Sequence, residues 1–198
     1  SGGKDVGVAL AEKLGVKCYG KELLAEAAKE RGFCTEIFEN HDEKPTNSFL
    51  YSLVMDTYSF GGYSSAPFLD MPLNHKVFLA QFDTIKKIAE KESCVFVGRC
   101  ADYALADHND CLNVFIHAKL DYRTDRIAKE MDLTMNKAKD VVQKNDKQRA
   151  SYYNYYTSKK WGDSRSYDLC LDSSQLGIEG CVEMILAYRK LFDANKKQ

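Results

Sequence analysis

The sequence lacks the features that would place it in a membrane or in the secretory pathway. None of its apolar runs approaches the ~18 residues that a membrane-spanning helix needs, and no signal peptide is visible. The net charge is −1, so no overall basic field draws the chain to nucleic acid. A local basic site is compatible with this net charge.

Paired cysteines and metal-ligand spacings are also missing. The seven cysteines are odd in number and form no C-x-x-C pair, and several of them lie inside apolar runs. The four histidines show no metal-ligand spacing. Buried free thiols are typical of a reducing compartment. We therefore predict a cytoplasmic protein with no disulfide and no metal-ligating residues.

Four apolar runs are present, and they predict buried strands. They are residues 16–19, 94–97, 112–118 and 167–172. The middle two are continuous rather than alternating, which is typical of a parallel sheet that is covered on both faces.

Helical patterns lie between and around these runs. Residues 5–14 lead into the first strand. An apolar face of Phe78, Phe82, Ile85 and Ala89 indicates a helix that ends near Lys91, and Leu120–Met131 forms another helix. Thr134 is the expected N-cap of the next helix. An apolar stripe of Ile178, Cys181, Val182, Ile185 and Leu186 indicates a terminal helix. The alternation of strands and helices predicts an α/β fold with a parallel sheet. The chain suits a single domain that residues 34–76 interrupt as an insertion.

The chain opens with S-G-G-K-D-V-G, a glycine-rich turn that runs at once into a helical pattern. Such a turn presents backbone N–H groups at the positive end of a helix, where phosphate binds well. The stretch resembles the tail of a P-loop, although the earlier glycine and strand of G-x-x-x-x-G-K-[ST] are not in the sequence. The alternative interpretation is a glycine N-cap on an exposed terminal helix.

Two later stretches favour phosphate chemistry. Arg99 follows a buried strand, and ligands bind at the carboxyl ends of strands in open parallel sheets. Asp102 could accept a hydrogen bond from a base or ribose, or pair with Arg99 instead. Arg123 and Arg126 share a helix face near the same edge, although either one alone would also fit a solvated face.

A third stretch, residues 144–165, mixes basic and aromatic side chains. Its members are Lys147, Arg149, Lys159, Lys160, Arg165, Tyr152, Tyr153, Tyr155, Tyr156 and Trp161. This composition fits nucleic-acid binding by stacking, or a lid whose cations close over phosphates, or a helix whose tyrosines pack on the body.

Together these stretches resemble the cytidylate kinase-like family of P-loop nucleoside monophosphate kinases. The most specific matches are G-R-C-A-D-Y-A-L (98–105) and the run from N-Y-Y-T through K-K-W-G-D to Y-D-L-C-L-D-S-S (154–174). The resemblance implies a P-loop NTPase-type three-layer α/β/α fold with a five-stranded parallel sheet, a helical acceptor-binding insertion at 34–76 and a lid at 144–166. The central first strand is absent from this numbering, and we expect it to precede Ser1, because a gap between two buried strands would leave their backbone groups unpaired.

The resemblance also implies a role for each candidate site residue. The residues implied for ATP binding are Ser1, Gly2, Gly3, Lys4, Asp5 and Arg123. The residues implied for acceptor binding are Arg99, Asp102 and Asp146, and those implied for catalysis are Lys4, Arg126 and Arg149. Ser173, Ser174 and Gln175 lie where the family has its adenine-side loop. Mg²⁺ is expected to enter with ATP and to be held mainly by phosphate oxygens and water.

Three residues depart from the family pattern. Cys100 stands where cytidylate kinases have an aspartate, Gly3 aligns with the P-loop lysine so that Lys4 is one residue out of register, and Asp5 replaces the magnesium-binding Ser/Thr.

The implied activity is transfer of the γ-phosphoryl group of ATP to a nucleoside monophosphate, with CMP or dCMP as the acceptors that the family name favours. The expected partners are therefore ATP and a small phosphorylated acceptor, with no nucleic acid and no membrane. A nucleotide-binding module without transfer activity and a kinase of a non-nucleotide metabolite are the alternatives. Nucleic-acid binding ranks last because the net charge is close to neutral.

Overall fold

The computed structural model describes residues 1–21 and 73–195. The predicted insertion at 34–76 therefore lies outside the described residues, except for its last four residues, which open a helix. In order, the elements are α1 (Gly3–Leu14), β1 (Lys17–Tyr19), α2 (Leu73–Ala89), β2 (Cys94–Phe96), α3 (Ala101–Ala104), β3 (Val114–His117), α4 (Leu120–Met131), α5 (Met135–Thr157), a 3-10 turn (Ser164–Ser166), β4 (Leu169–Asp172) and α6 (Ser173–Asn195). All four predicted strands are present, each slightly shorter than its apolar run.

The strands form two parallel pairs. In the first pair β1 lies beside β2, with Cys18 opposite Val95, and in the second pair β3 lies beside β4, with Phe115 opposite Cys170. The described residues thus form a mixed α/β fold with short parallel strands, and a five-stranded sheet is not among the sheets they form.

The two central runs form strands, as predicted, but these strands are less buried than the apolar runs indicate. Every residue of β2 is only half-buried, and so are the first three residues of β3. The physical reason is pairing: within the described part of the chain, β2 and β3 each have a strand on one side only. Their other edges therefore leave side chains partly uncovered.

Side chains alternate between two helical layers. Val95 of β2 and Ile116 of β3 pack on a core shared by α1 and α6, which includes Val6 and Val182. Phe96 faces the opposite way, toward the core that Ile85 and Ile88 of α2 form with Leu105. Helix α1 contacts both strand pairs as well as α6, so one helix spans the space between the two pairs.

The close approach of α1 to the strands requires a glycine. A Cβ atom on Gly7 would lie 2.6 Å from Cγ2 of Val97, just beyond β2, which is closer than packed carbon atoms allow. Gly7 therefore sets the distance between α1 and the first strand pair, and with it the position of the turn at residues 1–3.

Helix α5 packs along α2 through aromatic rings. The rings of Phe78 and Tyr156 stack with centroids 4.0 Å apart, and Tyr152 and Tyr153 are buried beside them. Thr134 stands at the N-cap of α5, as the sequence predicts. Among the described residues, no helix is long and apolar enough to cross a bilayer.

Candidate functional site

The glycine turn at the start of the chain leads directly into α1, as the sequence predicts. Gly2 is the N-cap residue, with φ of 74° in the left-handed region that favours glycine. The first N–H groups of a helix have no acceptor within the helix, and they carry the positive end of its dipole. The turn therefore offers an electropositive backbone surface around Gly2 and Gly3.

Ser173 fixes this turn at the carboxyl ends of the second strand pair. Its hydroxyl lies 2.6 Å from the carbonyl oxygen of Ser1 and 3.1 Å from that of His117, the last residue of β3. Ser173 itself directly follows β4 and is 1% exposed. The turn thus lies at the edge where open parallel sheets bind ligands.

Three of the predicted arginines act on the same turn. The positive charges of Arg123, Arg126 and Arg149 all act on the backbone nitrogen of Ser1, the first residue of the turn. The negative charge of Asp146 opposes them. The fold thus brings side chains from α4 and α5 to the turn that opens α1, although they lie more than a hundred residues away in sequence.

Arg126 is held by two carboxylates. Its Nη2 donates to Oδ2 of Asp5 at 2.6 Å, and its Nε donates to Oε1 of Glu130 at 2.6 Å. The hydrogen bond to Glu130, and then that to Asp5, raise the pKa of the guanidinium above its ordinary value, so it stays charged. Glu130 is absent from the sequence-based site, and its i,i+4 spacing from Arg126 is the signal that could have indicated it.

The remaining guanidinium nitrogen of Arg126 faces the turn. A Cβ atom built on Gly2 would lie 2.8 Å from Nη1 of Arg126 and 2.8 Å from Cδ1 of Ile178. Any side chain at this position would therefore push against the arginine. Gly2 is thus required both by its backbone conformation and by the close approach of the cation.

Arg123 and Asp146 form an ion pair that joins α4 to α5. Nη1 of Arg123 lies 2.6 Å from Oδ2 of Asp146, and both side chains are mostly buried. Nε of Arg123 is buried without a hydrogen-bond partner among the described residues. The family resemblance implied ATP binding for Arg123 and acceptor binding for Asp146, and the structure places the two side chains in direct contact.

The predicted acceptor residues follow β2 in a strained turn. Gly98, Arg99 and Cys100 have φ values of 73°, 59° and 54°, and such values are uncommon for residues other than glycine. Asp102 accepts a hydrogen bond from the Tyr153 hydroxyl at 2.6 Å, so α5 holds the far end of this turn. Burial, and then this hydrogen bond, raise the pKa of Tyr153 well above its ordinary value.

Lys4 lies on a different side of α1 from Asp5. Its side chain is exposed, and its positive charge acts on the Cys18 thiol of β1, opposing the larger effect of burial on that pKa. Asp5 instead contacts α4 through Arg126. The two neighbouring residues thus serve different parts of the site.

The tyrosines of the 144–165 stretch support the packing interpretation. Tyr152, Tyr153 and Tyr156 are 6%, 6% and 0% exposed, so these rings are not available for stacking on bases. This burial weakens the case for nucleic-acid binding through this stretch. Residues 144–157 belong to the continuous helix α5. The motion that a lid requires stays a prediction.

A family model described as the cytidylate kinase-like family matches residues 1–175. The chain belongs to the cytidylate kinase-like family. The resemblance read from the sequence is thereby confirmed, and membership supports a kinase that acts on nucleotides. None of the curated proteins matches the chain.

A solved structure shares the fold of this cytidylate kinase-like chain. It is the crystal structure of an uncharacterized protein from Eubacterium ventriosum ATCC 27560, with 32% sequence identity and a TM-score of 0.72. The match covers 96% of this chain and 92% of that chain. The described arrangement of helices and strands therefore recurs in a solved protein over nearly its full length.

Proposed function

We propose that this protein transfers the γ-phosphoryl group of ATP to a nucleoside monophosphate, with CMP and dCMP as the first candidate acceptors. The observation that carries the proposal is a glycine turn at the carboxyl ends of β3 and β4, with Nη1 of Arg126 against Gly2 and the charges of Arg123 and Arg149 acting on the same turn. Backbone amides at a helix N-terminus together with several guanidinium groups suit a ligand with phosphate groups.

The proposal includes the five-stranded sheet of P-loop kinases. The half-buried inner strands β2 and β3 each have an uncovered edge, and α1 packs on both strand pairs. A parallel strand that leads into the turn at Ser1 would fill this space and pair with both edges. It would also bury the side chains that the described strands leave half-exposed.

In phosphoryl transfer the protein contributes alignment and charge rather than covalent chemistry. An oxygen of the acceptor phosphate attacks the γ-phosphorus, and the bond from that phosphorus to the β–γ bridging oxygen breaks, so that ADP leaves with the electron pair. Arg126 and Arg149 would stabilise negative charge on the transferring group, and Arg99 would hold the acceptor phosphate. Lys4 would add positive charge beside the turn.

The ion pair between Arg123 and Asp146 lies within the proposed site. Asp146 neutralises Arg123 at 2.6 Å, and a phosphate group would compete with that carboxylate for the guanidinium. Asp146 lies on α5, the helix that also carries Arg149. A phosphate that displaced Asp146 from Arg123 would therefore change the charge balance of this helix beside the phosphate site.

The described residues fit a magnesium ion that is carried by the nucleotide. Among them, no group of three or more His, Cys, Asp or Glu side chains is placed to ligate a metal ion. The carboxylate of Asp5 already accepts a hydrogen bond from Arg126. Mg²⁺ would be held by phosphate oxygens and water, and when bound it would neutralise charge on the β- and γ-phosphates.

The test is an ADP-release assay with full-length protein, ATP, Mg²⁺ and a panel of CMP, dCMP, UMP, AMP and GMP. We expect ADP release that depends on at least one nucleoside monophosphate and is abolished without Mg²⁺. A variant with Arg149→Ala should release ADP at least tenfold more slowly, because one charge-assisted contact to the transition state is lost. Equal ADP release with and without every acceptor would contradict the proposal.

A nucleotide-binding module without transfer activity is the second candidate. The observation that favours it is the pair of departures in the loop, namely Asp5 in place of the metal-binding hydroxyl and Lys4 out of register. It predicts ATP binding with no acceptor-dependent turnover. A kinase of a non-nucleotide metabolite predicts turnover only when the acceptor panel is widened.

A further inference from the structure

We propose that Arg126, rather than Lys4, supplies the cation that P-loops draw from their lysine, and that Asp5 and Glu130 are positioning residues that hold it over the glycine turn. The inference rests on the proposed ATP site and deepens it.

The two residues that follow Gly3 leave α1 in different directions, because successive residues of an α-helix point about 100° apart. The side chain of Lys4 is exposed, and its charge acts on Cys18 of β1. Asp5 lies toward α4, where it accepts a hydrogen bond from Arg126.

Two hydrogen bonds fix the orientation of the Arg126 guanidinium. A guanidinium is planar, so two hydrogen bonds at different nitrogens fix its plane. Glu130 accepts from Nε and Asp5 accepts from Nη2, both at 2.6 Å. The third nitrogen, Nη1, is then directed at Gly2, 2.8 Å from where a Cβ would stand.

The contacts of Arg126 differ from those of an ordinary surface ion pair. The side chains of Arg126, Asp5 and Glu130 are 30%, 45% and 49% exposed, and pairs with such exposure contribute little to stability. A stabilising surface pair also needs no glycine beside it. The close contact between the guanidinium and Gly2 is explained when the cation has to reach the anion-binding backbone of the turn.

The two carboxylates fix the arginine but weaken the positive field that ATP meets. Removing one of them should therefore separate binding from catalysis. Without Asp5, ATP meets one negative charge fewer, while the guanidinium loses its fixed orientation. We expect Asp5→Asn and Glu130→Gln to lower kcat about tenfold with no rise in KM for ATP, because orientation contributes in the transition state.

The first experiment measures ATP affinity of the full-length protein by isothermal titration calorimetry, so it does not require turnover. Arg126→Ala should weaken ATP binding about tenfold or more, which corresponds to one lost charge-assisted contact. Lys4→Ala should weaken it less. The matched control is Lys129→Ala, which removes an exposed charge from the same helix and should leave the affinity unchanged.

The inference is overturned if Lys4→Ala costs as much affinity as Arg126→Ala, or if Arg126→Ala binds ATP like the wild type. Should Arg126→Ala fail to fold, Arg126→Lys keeps the charge but cannot meet both carboxylates. We then expect Arg126→Lys to lower kcat, and wild-type kcat and affinity in that variant would overturn the inference.

The second experiment combines Asp5→Asn with Arg126→Ala. A residue that acts only through Arg126 should cost nothing further once the arginine is gone. If Asp5→Asn instead raises the Mg²⁺ concentration needed for half-maximal activity in the Arg126→Ala background, Asp5 is a metal ligand and the inference is wrong.

The proposed function and this inference can fail separately. A wild type that binds ATP but transfers nothing to any acceptor contradicts the proposed function, while the affinity series still decides between Arg126 and Lys4. A wild type that does not bind ATP overturns both.

Discussion

Replacing Gly2 with alanine should damage the candidate site more than it damages the fold. Gly2 has a φ of 74°, and a left-handed conformation costs an alanine about 1–2 kcal/mol. The new methyl group would also stand 2.8 Å from Nη1 of Arg126 and 2.8 Å from Cδ1 of Ile178. Both atoms are ends of flexible side chains, so they can move aside, but the guanidinium then leaves the turn.

Gly15 provides the matched control at the other end of the same helix. It has a φ of 65°, so alanine meets a similar backbone strain there. A Cβ atom on Gly15 has no neighbour within 4 Å among the described residues. Both variants should thus lose about 1–2 kcal/mol of unfolding free energy, and only Gly2→Ala should also lose ATP affinity.

The assay is urea denaturation of both variants, followed by ATP titration at a temperature where both are folded. We expect Gly2→Ala to bind ATP about tenfold more weakly than Gly15→Ala, on the scale of one charge-assisted hydrogen bond. The reasoning is refuted if the two variants bind ATP equally well, because the displaced guanidinium would then have no part in binding.

Three further predictions concern the rest of the site and its support. Arg99→Ala should raise KM for the acceptor tenfold or more while leaving KM for ATP unchanged, and an unaltered acceptor KM and kcat would remove Arg99 from the site. Gly7→Ala should destabilise the protein by about 1–3 kcal/mol in urea denaturation, because its methyl group would lie 2.6 Å from Val97. A gain in stability of the size expected from helix propensity would contradict this packing. Tyr153→Phe should cost about 1–3 kcal/mol by leaving Asp102 without its 2.6 Å donor, and a loss below about 0.5 kcal/mol would show that water replaces the hydroxyl.

The elements of the fold could be predicted from the sequence because each depends on local pattern. Leu120–Met131 has the bounds that its pattern indicates, and Thr134 lies at the N-cap of α5. The half-burial of β2 could not be predicted in this way. Burial of a central strand depends on which strands lie on either side of it, and that information is not in the run of apolar residues itself.

The site shows the same division between local and long-range information. The sequence indicates the glycine turn and the arginines as candidates, because their residue types suit phosphate. The pairing of Arg126 with Asp5 spans 121 residues and depends on how α4 is rotated against α1. Ser173 holds the turn through a single hydroxyl, and no periodicity in the sequence marks such a contact.

The most direct test of the central claim is to follow the γ-phosphoryl group itself. Full-length protein would be incubated with Mg²⁺, ATP labelled on the γ-phosphate, and each of CMP, dCMP, UMP, AMP and GMP, and the labelled products would be separated. The account predicts label in a nucleoside diphosphate formed from at least one acceptor, with an equal amount of ADP. Label that stays in ATP or passes only to inorganic phosphate with every acceptor would contradict it.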